Sequence, residues 1–348
     1  MKAQLFRYID GKIQCTACER YCILKAGQSG FCGVRTATTE GMELDVYNMP
    51  YSFNMDPIEK KPVLHMYPGA RILSFGTSGC DFACRYCQNY DMSQRKTVSG
   101  IYTTPEQVVE LAIKNHADGI AYTYNEPTVF MEYARDVGLI AHKHGLINIF
   151  VTNGYETVES MKMASEFLDA ITIDFKGNGS KSFYNKYIYV LSADSIYNTI
   201  KMAIGYGIHT EVTDLVVPEI GDNLEDASTM INRIKDIAGE YIPISFLRYH
   251  PDYKMAIPLT PLQILKDHYD LAIKLGMKYV YIGNVPEGNY ENTYCPQCHN
   301  LLISRHYFDS KVTGLTVDGK CKKCGFNTGI LLLNSKLNGK FLHNSTVR

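Results

Sequence analysis

Short apolar runs alternate along the chain with longer stretches whose apolar residues recur at helical spacing. The run RILSFG (71–76) predicts a buried strand, and GIAYTY (119–124), INIFVT (147–152), AITIDF (170–175), HTEVTDLVV (209–217), IPISFL (242–247) and KYVYIG (278–283) continue the series. Helices are expected between them. One starts where Thr104 caps, Pro105 takes the first helical position and Gln107 completes a capping box. Another runs from about Thr128 to His144. A third spans TPLQILKDHYDLAIKLG, with Thr260 as its cap, Pro261 first and Gly276 as its stop. Such alternation implies an α/β fold of parallel strands joined by right-handed crossovers. Six or seven units suit a partial or full TIM-like (β/α)6 barrel better than a dinucleotide-binding sheet, and no G-x-G-x-x-G opens a helix.

Punctuation divides the chain into three segments. Residues 1–70 form an irregular N-terminal segment carrying four cysteines, residues 71–290 the core barrel, and residues 291–348 a tail carrying four more. Chemistry in barrels lies at the carboxyl ends of the strands, so unusual polar residues should follow the predicted strands. They do. Cys80, Cys84 and Cys87 follow the first, Asn125 and Glu126 the second, and Thr152 and Asn153 close the third. Asp174 and Lys176 close the fourth, and Tyr249 and His250 follow the sixth. Tyr90, Tyr122, Tyr124, Tyr155 and Tyr249 are expected to line an apolar mouth.

A net charge of −1 disfavours nucleic acid as the main partner. The opening MKAQLFRYIDGKIQC has no apolar leader, and no apolar run approaches the ~20 residues of a membrane span. A soluble, cytoplasmic protein is expected, and in that compartment the 11 cysteines are not disulfides.

Those cysteines fall into groups of four, three and four. Cys295, Cys298, Cys321 and Cys324 make two C-x2-C knuckles separated by 22 residues, the spacing of a tetrahedral zinc ribbon. The intervening stretch predicts a hairpin with glycine turns. Cys15, Cys18, Cys22 and Cys32 suit either zinc or a closed auxiliary [4Fe–4S] cluster, and their place outside the predicted barrel favours zinc. Cys80, Cys84 and Cys87, spaced C-x3-C-x2-C, supply one ligand fewer than an ordinary cluster takes, which leaves one iron open.

With Tyr86 as its aromatic, C-x3-C-x-aromatic-C resembles the signature of the radical S-adenosylmethionine (SAM) superfamily. That resemblance implies a [4Fe–4S] cluster on Cys80, Cys84 and Cys87 whose open iron is chelated by SAM. It further implies reductive cleavage of SAM to a 5′-deoxyadenosyl radical, driven by a low-potential donor of the flavodoxin or ferredoxin type. YTYNEP (122–127) stands where the superfamily keeps Gly-Gly-Glu, so Glu126 is expected at the methionine ammonium, with Tyr124 and Asn125 replacing the glycines. IDFK, VTNG and RYHPD resemble elements of the glycyl-radical activating enzymes. The match implies Lys176 at the methionine carboxylate, Asp174 at the ribose or ammonium side, Thr152 and Asn153 in the cofactor turn, and His250 near ribose or adenine. Val151 and Thr213 replace an Asp and an Arg of those enzymes.

Taken from about residue 15 to 330, the layout resembles the AmmeMemoRadiSam-system radical SAM proteins, relatives of the pyruvate formate-lyase activating enzymes. This implies Memo-like and AMMECR-like partners. The alternatives are an activase of a glycyl-radical enzyme and, from another class, a non-catalytic metal-rich electron carrier or zinc scaffold.

Overall fold

The structure, a computed structural model, describes residues 1–94, 97–286 and 288–333. Two small antiparallel units come first: the three-stranded β1 (Phe6–Ile9), β2 (Lys12–Cys15) and β3 (Ile23–Leu24), then the hairpin β4 (Arg35–Thr38) and β5 (Gly41–Leu44). The central sheet has eight strands: β6 (Ser52–Pro57), β7 (Arg71–Gly76), β8 (Gly119–Tyr122), β9 (Ile147–Thr152), β10 (Ala170–Lys176), β11 (His209–Val216), β12 (Ile244–Arg248) and β13 (Val280–Gly283). They lie in sequence order. β7 to β13 are parallel, while β6 pairs antiparallel with β7 and closes one edge. All seven predicted strands are therefore present. β6 and β13 end the series, so the sheet is an open, partial barrel. It reaches into the N-terminal segment, because β6 precedes residue 71.

Helices fill the crossovers. α1 (Tyr90–Ser93) and α2 (Pro105–Lys114) join β7 to β8, α3 (Met131–Lys143) joins β8 to β9, and α4 (Val158–Ala164) joins β9 to β10. α5 (Lys181–Phe183) and α6 (Asp194–Gly205) follow β10, α7 (Leu224–Ala238) follows β11, and α8 (Leu262–Lys274) follows β12. The Thr104–Gln107 capping box forms as expected. Thr260 does not cap α8; Pro261 occupies that position. The Thr260 hydroxyl instead donates to Val216 O at 2.7 Å and accepts from Tyr249 N at 3.0 Å, tying the ends of β11 and β12 together.

The N-terminal units are bound to the barrel by a fully buried ion pair. Arg35 donates to both oxygens of Glu132 at 2.6 and 2.7 Å, and Glu132 also accepts from Gln4 N and Leu5 N. Burial pushes the Glu132 carboxyl up, but Arg35 outweighs it and holds the group at about 2.

At the other end, β14 (Thr293–Tyr294), β15 (Leu301–His306) and β16 (Asp309–Val312) form the C-terminal ribbon, which has its own small core around Leu302, Ile303 and Leu315. Its hairpin turns at Tyr307 and Phe308, with Tyr307 at φ 53°, and not at a glycine. Arg305 is the tether: its guanidinium donates to Leu64 O at 2.6 Å and to Glu291 O at 2.7 Å. Residues 334–348 of the expected tail lie outside the described residues. Among the described residues no helix is long and apolar enough to cross a membrane.

Candidate active site and metal centres

A cavity of about 590 Å³ opens at the carboxyl ends of the parallel strands. Cys80, Cys84 and Cys87 reach its wall from the loop after β7. So do Tyr86, Asn125, Glu126, Thr152, Asn153, Asp174, Lys176 and His250, so that five separate chain segments meet there. Every residue singled out for the central chemistry is thus brought to one space.

The loop is shaped by close backbone approaches. A Cβ on Gly76 would lie 2.4 Å from Thr123 O, and one on Gly79 would lie 2.5 Å from Cys32 O, so only glycine fits at either position. Asn125 fixes the same loop: its amide accepts from Thr77 N at 3.1 Å and donates to Gly79 O at 2.7 Å. Tyr124, expected where relatives have glycine, has φ 71°, in the left-handed region that glycine enters freely. Three contacts hold it there. Asn89 donates to Tyr124 O at 2.8 Å, the Tyr124 hydroxyl donates to Asp56 at 2.8 Å, and the Lys61 ammonium lies 4.9 Å over the ring. The tyrosine keeps the glycine backbone at the cost of strain.

Beneath the loop, three buried carboxyls meet. Glu126 Oε1 accepts from Thr128 N at 3.0 Å and Oε2 from Asn153 N at 2.8 Å. The Thr152 hydroxyl lies 2.8 Å from Glu126 and 2.6 Å from Glu156, and it has one proton to give. That single proton is shared between two buried carboxyls, which leaves charge on both poorly compensated. Burial, reinforced by Glu156 and Asp81, raises Glu126 well above the carboxylate range. Burial brings Glu156 to about 7 and Asp81 to about 6. Neither Glu126 nor Glu156 has an ion-pair partner among the described residues.

Opposite them, Lys176 lies 3.3 Å from Asp174, which also accepts from the Thr213 hydroxyl. Burial works against the Lys176 charge, but Asp174 and the thiols of Cys84 and Cys87 outweigh it and raise the group. Thr213, where the activating enzymes carry Arg, thus orients Asp174. Tyr86 and Tyr249 are buried against one another at the cavity wall, and the Tyr249 hydroxyl has no hydrogen-bond partner within the protein. His250 stands at the rim, exposed, with Nε2 3.3 Å from Gln88.

The expected tyrosine mouth is only partly there. Tyr124 and Tyr249 line the cavity, whereas Tyr122 is buried outside it, donating to Asn148 at 2.9 Å. Tyr155 packs on Phe82, and Tyr90 stacks on Tyr253 with centroids 4.7 Å apart. Sequence reasoning missed Asp81 and Glu156. The available signal was an acidic residue inside the cysteine loop and another two residues beyond VTNG, each among groups too apolar to solvate it.

Of the outer groups, Cys295, Cys298, Cys321 and Cys324 bring four sulfurs within 4.8 Å of one another. Cys15, Cys18, Cys22 and Cys32 lie against the barrel loop and not apart from it, since Cys18 bridges to Glu156 and Arg20 donates to Asp81 O. They stand outside the eight-stranded sheet, as expected, but pack on its loops.

Residues 75–234 match the model of the radical SAM superfamily. The uncharacterized protein MJ0808 of Methanocaldococcus jannaschii is 42% identical over 327 residues, which cover 93% of this chain and 97% of that protein. Solved structures with related architecture include a domain of a pyruvate-formate lyase-activating enzyme from Bacteroides vulgatus, 14% identical, covering 48% of this chain and 100% of that one with TM-score 0.42. Streptococcus suis SuiB bound to SAM is 11% identical, covering 67% and 53% with TM-score 0.48. Native anSMEcpe with bound AdoMet is 20% identical, covering 62% and 63% with TM-score 0.44. With its three-cysteine loop at the carboxyl end of the sheet, this chain belongs to the radical SAM superfamily.

Proposed function

We propose that the cavity holds a [4Fe–4S] cluster on Cys80, Cys84 and Cys87 with SAM beside it, and that the protein generates a 5′-deoxyadenosyl radical for hydrogen abstraction. The observation that carries this reading is charge complementarity. A buried carboxyl without a cation, Glu126, lines the cavity, with Glu156 behind it across the Thr152 hydroxyl, and a mostly buried ammonium, Lys176, lines it as well. SAM carries an ammonium and a carboxylate at one end, which answer these groups in turn.

The donor set fits the cluster. Three thiols on a glycine-shaped loop leave a fourth position free, and the orphaned Tyr249 hydroxyl faces the same space. When bound and reduced, the cluster supplies the electron that breaks the C5′–S bond of SAM, giving methionine and the radical.

The chain's own residues do the rest. Glu126, whose charge burial disfavours, would face the methionine ammonium, a cation that offsets that penalty. Thr152 donates to the same carboxyl and orients it. Lys176, aimed by Asp174 and Thr213, takes the methionine carboxylate. His250 and Gln88 meet the nucleoside at the rim. Asn125 and Tyr124 hold the loop so that none of these groups has to move. Motif resemblance supports Memo-like and AMMECR-like proteins as partners.

The test is anaerobic incubation of reconstituted, dithionite-reduced protein with SAM. 5′-Deoxyadenosine and methionine should accumulate together. Their absence in protein with a full complement of iron would sink the proposal.

A further inference from the structure

The three cysteine groups differ in how far apart they hold their sulfurs. In the C-terminal ribbon, Cys295 and Cys324 are 3.6 Å apart and Cys298 and Cys321 are 3.7 Å apart. Four thiolates at ~2.3 Å from one tetrahedral zinc stand ~3.8 Å from one another, so this group closes on a single ion. Neither other group does. Among the described residues, no three sulfurs of Cys80, Cys84 and Cys87, or of Cys15, Cys18, Cys22 and Cys32, come within the 4.8 Å that gathers the ribbon set.

Yet the N-terminal four face one another. The sulfurs of Cys22 and Cys32 lie 3.7 and 3.8 Å from where a Cβ of Gly30 would stand. Cys15 and Cys22 each act on the Cys32 thiol, and Cys15 and Cys32 act on Cys18. In a cubane every thiolate takes a different iron, so its sulfurs stand wider than those sharing one ion. Among the described residues the N-terminal group, like the central loop, is not gathered as the ribbon set is. Phe31 N also points at Cys22 Sγ at 3.5 Å, a donor suited to a charged thiolate.

Location supplies the second argument. The backbone of Gly79, next to Cys80, rests on the carbonyl of Cys32. Asp81 touches both groups. Its Oδ1 is 3.8 Å from Cys80 Sγ and accepts from Asn153 at 2.7 Å, and its carboxylate also acts on Cys18. Its Oδ2 is buried with no hydrogen-bond partner within the protein. The two sets of thiols are thus separated by one side chain.

We propose that Cys15, Cys18, Cys22 and Cys32 hold a second, closed [4Fe–4S] cluster set against the catalytic loop through Gly79 and Asp81. Four protein thiolates leave no open iron for a substrate, so the use of such a centre here is one-electron exchange. One electron arrives from a low-potential donor protein of the flavodoxin or ferredoxin class and leaves toward the Cys80 loop, with no bond made or broken. Only that destination rests on the function proposed above. The assignment of the site does not.

The experiment is metal and sulfide analysis of the full chain carrying Cys80→Ala, Cys84→Ala and Cys87→Ala together, reconstituted anaerobically with iron and sulfide. Expected are about four iron and four sulfide per chain, about one zinc, and a paramagnetic cluster signal on reduction with dithionite. Adding Cys22→Ala should remove the iron and the signal while the ribbon zinc stays, which also shows that the variant is folded. About two zinc per chain without iron, or ribbon zinc alone, overturns the proposal. Wild type should carry twice the iron of the triple variant. If both carry the same four, the reading of the central loop fails and that of the N-terminal site stands.

Discussion

The C-terminal ribbon and the central loop use the same ligand atom for opposite ends. In the ribbon, two C-x2-C knuckles bring four sulfurs within 4.8 Å on a hairpin with a private core, and Cys324 is exposed. Nothing is left for another molecule to ligate. The central loop offers three thiols to a deep cavity, packs its backbone against neighbours at two glycines, and surrounds itself with carboxyls that burial has pushed toward neutrality. The difference teaches that ligand count and surroundings decide between a fastener and a reagent. A structural metal is placed where its loss unfolds something. A reactive one is placed where its neighbours can answer a second ligand's charges.

Substitutions can break this contrast, and the largest effect belongs to the loop. Cys84→Ala should reduce 5′-deoxyadenosine formation to background, because two thiolates no longer hold the cluster, while the metal content of the ribbon is unchanged. Retained SAM cleavage would mean the chemistry sits elsewhere. The mirror experiment is Cys321→Ala. Structural zinc sites bind with about 10 kcal/mol or more, so the ribbon should lose its metal and become protease-sensitive between residues 295 and 324. Iron bound to the central loop should stay. If iron is lost together with zinc, the two regions are not independent.

A third substitution tests on which side of the contrast the N-terminal units fall. Glu132→Gln leaves Arg35 buried without its counter-charge, which should cost about 3–5 kcal/mol in global unfolding. A ribbon-like appendage would instead melt alone, seen as a separate first transition. The same pair sets an acid limit. Glu132 is held at about 2, below its ordinary value near 4.5, so its contribution is present above that value and is lost as the pH falls toward 2. Denaturant midpoints from pH 5 to 2 should drop in wild type and drop less in Glu132→Gln.

Much of this was legible in the sequence because local signals carried it. The seven parallel strands were visible as apolar runs, and the placement of the chemistry followed from barrel geometry once Cys80, Glu126, Asp174 and His250 were seen to follow strands. What escaped depended on long-range packing. Thr260 looks like a helix cap in its local sequence, and its role between β11 and β12 exists only once those strands are adjacent. Tyr122 and Tyr124 are two residues apart in one apolar run, but the left-handed backbone at Tyr124 ends the strand, so one joins the core and the other the cavity. Asp81 and Glu156 were passed over because a single acidic residue has no pattern. The contact of Cys32 with Gly79 joins residues 47 positions apart, so no spacing rule announces it.

The smallest of these effects is also the most specific to the proposed ligand. Lys176 is raised by Asp174 and by the thiols of the loop, and Asp174 and Thr213 aim it. Lys176→Met removes the charge while keeping the length of the side chain. Loss of one charge-assisted hydrogen bond to the SAM carboxylate is worth about 1.5–3 kcal/mol, which is a Kd raised roughly 10- to 150-fold. Calorimetric titration of SAM into the reconstituted variant measures it directly. A Thr213→Val companion, which leaves the charge and loosens only its aim, should weaken binding by less. The ribbon offers a matched control, since Lys320→Met removes an exposed lysine paired with Asp318 and should leave SAM affinity as it was. If Lys176→Met binds SAM as tightly as wild type, the methionine carboxylate is met by another group. The pairing of Lys176 with Asp174 would then belong with the structural fastenings of the molecule, on the ribbon's side of the comparison.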